Sequence, residues 1–190
     1  MSKLETNTID TISGSTNLTL GGTNATDITI PSGVTITNNG TQSGFGGTNT
    51  PAFQVLRNAA QSIPNSTFTK VQLNTELIDT DSAFDNSTNY RFTVPSGKDG
   101  NYLFSYGIQF LTFNAVRCLA RIEKNGTEIH AAEINDHTSS DNASINASVM
   151  LPLVATDYIE LLVYQNSGSS QNIRGSSTEA FTYLSGFKLI

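Results

Sequence analysis

Two histidines, one cysteine and sixteen Asp and Glu residues are the groups from which chemistry would have to be built. His130 and His137 stand seven apart, which is not a metal-ligand spacing, and they read as surface histidines. Serines are plentiful, but none sits in a Gly-x-Ser-x-Gly elbow before a helix. Cys118 has no electropositive setting and reads as a small buried hydrophobe. Acids gather at Asp79, Asp81 and Asp85, and again at Asp136 and Asp141. Oxygens of this kind suit calcium. Yet Asp79-Thr80-Asp81 lacks the dense spacing of a dedicated loop, so these stretches read as solvated acidic loops. A glycan-cleaving enzyme needs two carboxylates across a groove, and nothing in the sequence points to such a pair. The expectation is a protein without catalysis and without a cofactor.

Three polar segments are candidate ligand loops: Asp79 to Asn89, Asn135 to Asn142, and Asn166 to Ser177. Asp79, Asp81, Asp136, Asp141 and Asn166 are the side chains singled out in them. Rich in Asn, Ser and Gly, they suit hydrogen bonding to sugars, as ordinary surface loops also would.

What must position them is a β framework. Hydrophobic residues make up 37% of the chain and charged residues 14%, with Asn, Thr, Ser and Gly filling much of the remainder. That is the composition of short strands and polar turns. The net charge of −6 and the absence of Lys/Arg runs argue against nucleic-acid binding. No apolar run is long enough to cross a bilayer. A single cysteine excludes a disulfide within the chain. No apolar h-region follows Met1 to Thr6, so the expectation is synthesis and folding in a cytoplasm.

Residues 51–190 read as a head. Strands are expected over Ala52 to Leu56, Phe68 to Leu73 with Leu77-Ile78, Tyr90 to Val94, Tyr102 to Phe113, Ala115 to Ile122, Glu128 to Ile134, Ile145 to Val154, Tyr158 to Gln165 and Ala180 to Ile190. Gln61 to Thr67 reads as loop. The clearest piece runs from Tyr90 to Tyr106. Phe92 and Val94 alternate with polar residues, Pro95 ends the strand, Ser96 to Gly100 is turn chemistry, and Tyr102, Phe104 and Tyr106 alternate in the next strand.

This piece resembles the signature of the C1q/tumour-necrosis-factor-like head domain, aromatic-x-Phe-x-x-Pro-x-x-Gly-x-Tyr-x-Phe. Phe92, Pro95, Gly100, Tyr102 and Phe104 fill it, with two extra residues in the turn. Phe84-Asp85, Lys124-Asn125-Gly126, Leu151-Pro152-Leu153 followed by Asp157 to Leu161, and Ser185 to Ile190 are similar to further family segments, in the same order. In the closing segment the aromatic Phe187 follows Gly186 rather than preceding it. The resemblance implies an antiparallel jelly-roll sandwich that closes about a threefold axis, with aromatic and aliphatic side chains of one sheet around that axis. It also implies that calcium near the axis is an option. Phe104, Tyr158, Tyr164, Phe181, Tyr183 and Phe187 are candidates for core or trimer contact.

Residues 1–50 differ. Leu18 and Leu20, Ile28 and Ile30, and Val34 and Ile36 alternate with polar residues in short units punctuated by Gly, and aromatics are absent before Phe45. One chain holds too few apolar groups here for a core. Three chains wrapped together would bury Ile28, Ile30, Val34 and Ile36 at a shared axis. The segment resembles the N-termini of phage virion proteins. The reading is therefore a homotrimeric virion appendage made in the host cytoplasm, a tail fibre or capsid decoration. Its β-rich stalk would join other virion proteins, and its head would attach to a host surface glycan or protein. A bacterial surface or spore-coat protein with the same head is the alternative.

Overall fold

Aromatic side chains at every second position need an apolar layer to face. The computed structural model describes residues 32–33, 35, 49–111, 115–137 and 141–189. The chain divides into two units, Met1–Phe45 and Gly46–Ile190, and the second carries the strands that follow. Ile28, Ile30, Val34 and Ile36 lie outside the described residues.

Thirteen strands follow one another among the described residues: β1 (Ala52–Leu56), β2 (Gln61–Ile63), β3 (Thr69–Lys70), β4 (Thr75–Asp79), β5 (Phe84–Asp85), β6 (Arg91–Thr93), β7 (Gly100–Phe110), β8 (Ala115–Lys124), β9 (Thr127–His137), β10 (Ala143–Leu153), β11 (Tyr158–Gln165), β12 (Gln171–Ile173) and β13 (Tyr183–Lys188). No helix occurs among the described residues. One sheet has the order β2-β12-β7-β13-β1-β4, with β10 on the other side of β7; the second has the order β5-β6-β11-β8-β9, with β3 on β11. Every pairing is antiparallel. This is the expected jelly-roll.

Three short strands fall where the sequence reads as loop: β2, β5 and β12. Each has only two or three residues, too few to show a period. Each is made by its partner: Ser62 against Asn172, Phe84 against Phe92. The expected strand from Phe68 to Leu73 contracts to Thr69 and Lys70, which pair with Val163 and Leu162, and Val71 adds one further bond to Leu161 O at 2.9 Å.

The core lies between the sheets. Tyr102, Phe104, Tyr106, Ile108 and Phe110 of β7 point inward, and each is at most 1% exposed. Facing them are Phe92 of β6, Ile122 of β8, and Ile159, Leu161 and Val163 of β11. At the centre the rings of Phe53 and Phe92 stack at 4.8 Å, and Phe104 meets Phe92 edge-on at 5.9 Å. Gly186 makes this cluster fit. A Cβ there would lie 2.6 Å from Cδ1 of Phe104 and 3.0 Å from Cε1 of Phe53. The inward position of β13 must therefore be empty, and the aromatic of that strand, Phe187, takes the next, outward position.

A second constraint sits at one end of the sandwich. Asn125 and Gly126 have φ of 52° and 79°, the geometry of a two-residue primed hairpin turn. The Asn125 amide donates to Asp157 Oδ1 at 2.7 Å, and its oxygen accepts the Tyr158 N–H at 2.9 Å. Asp157 Oδ2 accepts the Val154 N–H at 2.9 Å and pairs with Lys124 Nζ at 2.8 Å. Asp157 thus ties the β8–β9 turn to the turn before β11. Burial pushes its pKa up, but the bonds from Lys124, Val154 and Asn125 outweigh that and hold it at about 2.

In urea melts, Phe104→Ala should lose about 3–5 kcal/mol of stability, and Gly186→Ala should lose about 1–3 kcal/mol by overpacking the same rings. Gly186→Ala melting like the parent would show that the cluster is not so tightly closed. For Asp157 the folded pKa lies below the unfolded value of about 3.9, so its contribution is complete above that value and is lost as pH falls towards 2. Asp157→Asn should cost about 1–3 kcal/mol at pH 7. It should also flatten the stability profile between about pH 4 and 2 relative to the parent. Parallel profiles would show that Asp157 is not the linkage group.

Candidate functional site

The chemical candidates do not converge. His130 faces the interior, with Nδ1 2.8 Å from the hydroxyl of Tyr106. His137 ends the same strand, seven residues on. Cys118 is fully buried, and burial pushes its thiol up to about 11, far from a reactive thiolate.

The acids are engaged within the fold. Asp79 accepts the N–H groups of Ala83 and Phe84 through its two oxygens. Asp85 accepts the N–H groups of Thr88, Ser87 and Asn89, and these bonds hold its carboxyl well below the usual range. Asp81 accepts from Thr80 and pairs with Lys98 at 3.3 Å. Among the described residues no group of three or more His, Cys, Asp or Glu is placed to hold a metal ion. In the Asp79–Asp85 loop the carboxylates of Asp79 and Asp85 order the backbone, and that of Asp81 serves Thr80 and Lys98. Asp141 stands exposed just before β10, and Asp136 belongs to β9. Asn166 accepts the Arg117 N–H at 2.7 Å.

The register separates the three candidate loops. Phe53 lies opposite Asp79 and Gly100 opposite Leu153, so the Asp79–Asn89 loop is at the end where the chain enters through Pro51. Phe110 lies opposite Ala143 and Ile173, and Cys118 opposite Gln165. The loops near Asp141 and Asn166 are therefore together at the far end. There the buried amide of Gln165 donates to Ile63 O and Ser169 O and accepts the Ser167 N–H. Gly175 packs against the backbone of Ala59, leaving no room for a Cβ. The guanidinium of Arg174 lies 3.4 Å over the ring of Phe181 and donates to Gln109 Oε1 at 3.1 Å.

The two outward sheet faces are chemically opposite. On the β6-β11-β8-β9 face the charges are numerous and paired. Glu160 and Glu123 sit opposite each other across β11 and β8, each 7% exposed. Lys70 meets Glu160 at 2.6 Å; Arg121 meets Glu123, and Glu128 at 2.9 Å; Arg117 meets Glu133 at 2.8 Å. Arg121 also covers Phe68, whose ring leans on Tyr164, and Arg91 covers Tyr158. Tyr158 and Tyr164 therefore belong to this face and not to the core. The carboxylate pair went unseen in the sequence because its members are 37 positions apart. Only alternation hints at them, and only register joins them.

The face of β1-β13-β7-β10 carries no charge at all. Its outward residues, read across the strands, run Ala52, Phe187, Leu103, Met150, then Gln54, Ser185, Ser105, Ser148, then Tyr183, Gly107, Asn146, with Gln109 and Ser144 above. Ser105 and Ser148 share a hydrogen bond at 2.7 Å, and Gln109 donates to Ser144 at 3.0 Å. Exposed apolar side chains stand at both edges: Leu77 and Ile78 on β4, 51% and 50% exposed, and Met150 on β10, 67% exposed. A groove of about 420 Å³ runs beside the first edge, lined by Ala52, Gln54, Ile78, Ser185 and Phe187 among others. Tyr183 and Phe187 are on this face, whereas Phe104 is core and Phe181 supports Arg174.

No family profile matches the chain, and no curated protein matches it. Solved structures do. The globular domain of zebrafish complement 1qA matches with a TM-score of 0.52 at 19% identity, covering 74% of this chain and 98% of that one. Murine APRIL matches at 0.55 and 14%, covering 73% and 98%. Eiger TNF from S. frugiperda matches at 0.57 and 11%, covering 73% and 92%. Different as these sequences are from this one, the fold of residues 51–189 is the C1q/TNF-like jelly-roll.

Proposed function

We propose that the chain is a non-catalytic head that closes as a homotrimer through the outward face of β1-β13-β7-β10. The observation that carries this is the missing charge. Ten Lys and Arg and sixteen Asp and Glu are spread over the chain, yet none falls on an outward position of these four strands. Depletion of charge at the centre of a patch marks subunit contacts, while overall apolarity does not. The opposite face shows that this is no general feature of the fold. The exposed side chains at the two edges, Ile78 on one and Met150 on the other, are at nearly the same level of the sheet. Opposite edges that meet make a heterologous contact, which closes into a ring where the rotation between copies returns to its start.

In this reading Tyr183 and Phe187 face the neighbouring copies. The loops around Asp141 and Asn166, at the end away from Pro51, are the ones available to a partner such as a host surface glycan or protein. The Asn/Ser/Thr-rich alternating units of residues 7–40 support the wider role, a virion appendage joined to other virion proteins by its N-terminal segment. Immunogold labelling of phage particles tests that role; label absent from every particle produced with the protein would remove it.

The assembly has its own test. Light scattering at micromolar concentration should give three times the chain mass. Met150→Asp should shift that mass towards the monomer while leaving the circular dichroism of the head unchanged, because Met150 is two-thirds exposed in one subunit and contributes little to its fold. A monomeric parent protein would overturn the trimer, and an unaltered trimer in Met150→Asp would place the contact elsewhere.

A further inference from the structure

The turn between β8 and β9 holds a covalently reactive step. Asn125 is followed by Gly126. Glycine has no Cβ to shield its nitrogen, so in an open chain that nitrogen can attack the amide of the asparagine before it. The bond from Gly126 N to Asn125 Cγ forms, the Cγ–Nδ2 bond breaks, and ammonia leaves with the proton of the attacking nitrogen. Water then opens the cyclic imide to aspartate, or to isoaspartate with the main chain rerouted through the side chain. The sum is amide plus water to carboxylate plus ammonia, with no change of oxidation state. Asn125 is exposed, so burial does not protect it from this reaction.

Geometry protects it instead. Ring closure needs the Gly126 nitrogen to eclipse Cβ of Asn125. With a φ of 52° Asn125 is left-handed. A left-handed residue has ψ of about +47°, which places the next nitrogen on the opposite side of the Cα–C bond from Cβ. The amide is also held at both ends, donating to Asp157 Oδ1 and accepting from the Tyr158 N–H, while the Asn125 N–H donates to Tyr158 O at 3.0 Å. We propose that Asn125 is a modification site kept closed by the fold: opening of the β8–β9 turn releases it to deamidation, and the product cannot remake the contact with Asp157. The new carboxylate would stand where the amide donated, 2.7 Å from Asp157 Oδ1. Asp157 has a pKa of about 2 and is ionised at neutral pH, and like charges so placed repel. Isoaspartate would add a backbone atom to a turn that pairs Lys124 directly with Thr127. Deamidation is thus a one-way covalent record that this end of the sandwich has been open. It concerns a single subunit and does not depend on the trimer.

Peptide mapping by mass spectrometry, on the full chain kept at neutral pH with and without urea, tests the protection. Mapping separates position 125 from Asn39-Gly40, the other Asn-Gly step of the chain. Only the open population reacts, so position 125 should deamidate about a hundredfold or more slowly in the folded protein than in urea. Asp157→Ala removes the acceptor of the amide and should raise the folded rate about 5- to 30-fold. Equal rates with and without urea, or an Asp157→Ala rate equal to the parent's, would overturn the protection. Thermal melts test the one-way step. Asn125→Asp imitates the product and should lower Tm by about 4–10 °C. Adding Asp157→Asn should return most of that loss, because the new amide can donate to the new carboxylate and still accept the Val154 N–H. Where Asn125→Asp alone does not fold, recovery in the double variant is the deciding measurement. Asn125→Asp melting with the parent, or a double variant no better than the single, would show that the fold tolerates the product and overturn the record.

Discussion

The fit of three phenylalanine rings over one glycine fixes the rest of this fold. Phe53, Phe92 and Phe104 come from β1, β6 and β7, and so from both sheets. They meet only because Gly186 leaves the inward position of β13 empty. A strand has a period of two, so a slip of one residue would exchange its faces. Here such a slip would drive Ser185 or Phe187 into the rings. The register of β13 on β7 and on β1 is therefore pinned at the centre. With it, Tyr183, Ser185 and Phe187 are committed to the outside.

From that pinned register the two outward faces acquire different characters. The β6-β11-β8-β9 face is complete in itself. Its carboxylates have cations, and its aromatic rings are capped by arginines. Paired in this way, the charges leave few unmet groups for a partner. The other sheet presents serine, glutamine, asparagine and tyrosine at its middle and bare apolar side chains at its edges. Serine hydroxyls can satisfy one another, as Ser105 and Ser148 do, and can be withdrawn from water at small cost. The asymmetry lies in side chains alone, since the backbone of both sheets is built the same way.

Much of this was legible in the sequence, and what was not has a physical reason. The strands from Tyr90 to Tyr106 could be read because alternation and turn chemistry are local. So could Asn125-Gly126, whose positive φ values are a property of the residues themselves. The strands β2, β5 and β12 could not, because two or three residues pair only when a partner is brought to them. The three polar loops looked alike in composition. Their separation to opposite ends depends on how many strands lie between them, and short unread strands upset that count. Glu123 and Glu160 are outward by alternation, but that they face each other follows only from register. The aromatic residues of the last strands kept their alternatives for a similar reason. Tyr158 and Tyr164 are outward on one sheet, Tyr183 and Phe187 on the other, and parity alone does not say which sheet a strand joins.

An uncharged face does not by itself dictate how many copies share it. Two subunits could cover one another by a twofold, each pressing the same patch on its mate. That arrangement would set like against like: Met150 near Met150 at one edge, Ile78 near Ile78 at the other. The proposed ring would use the differences between the edges instead. A groove lined by Ile78 and Phe187 lies on one side and a protruding Met150 on the other, a hollow and a knob at neighbouring levels. A hollow on one edge and a knob on the other would favour a head-to-tail contact over a self-complementary one, and a closed ring is the finite assembly that would satisfy every such contact.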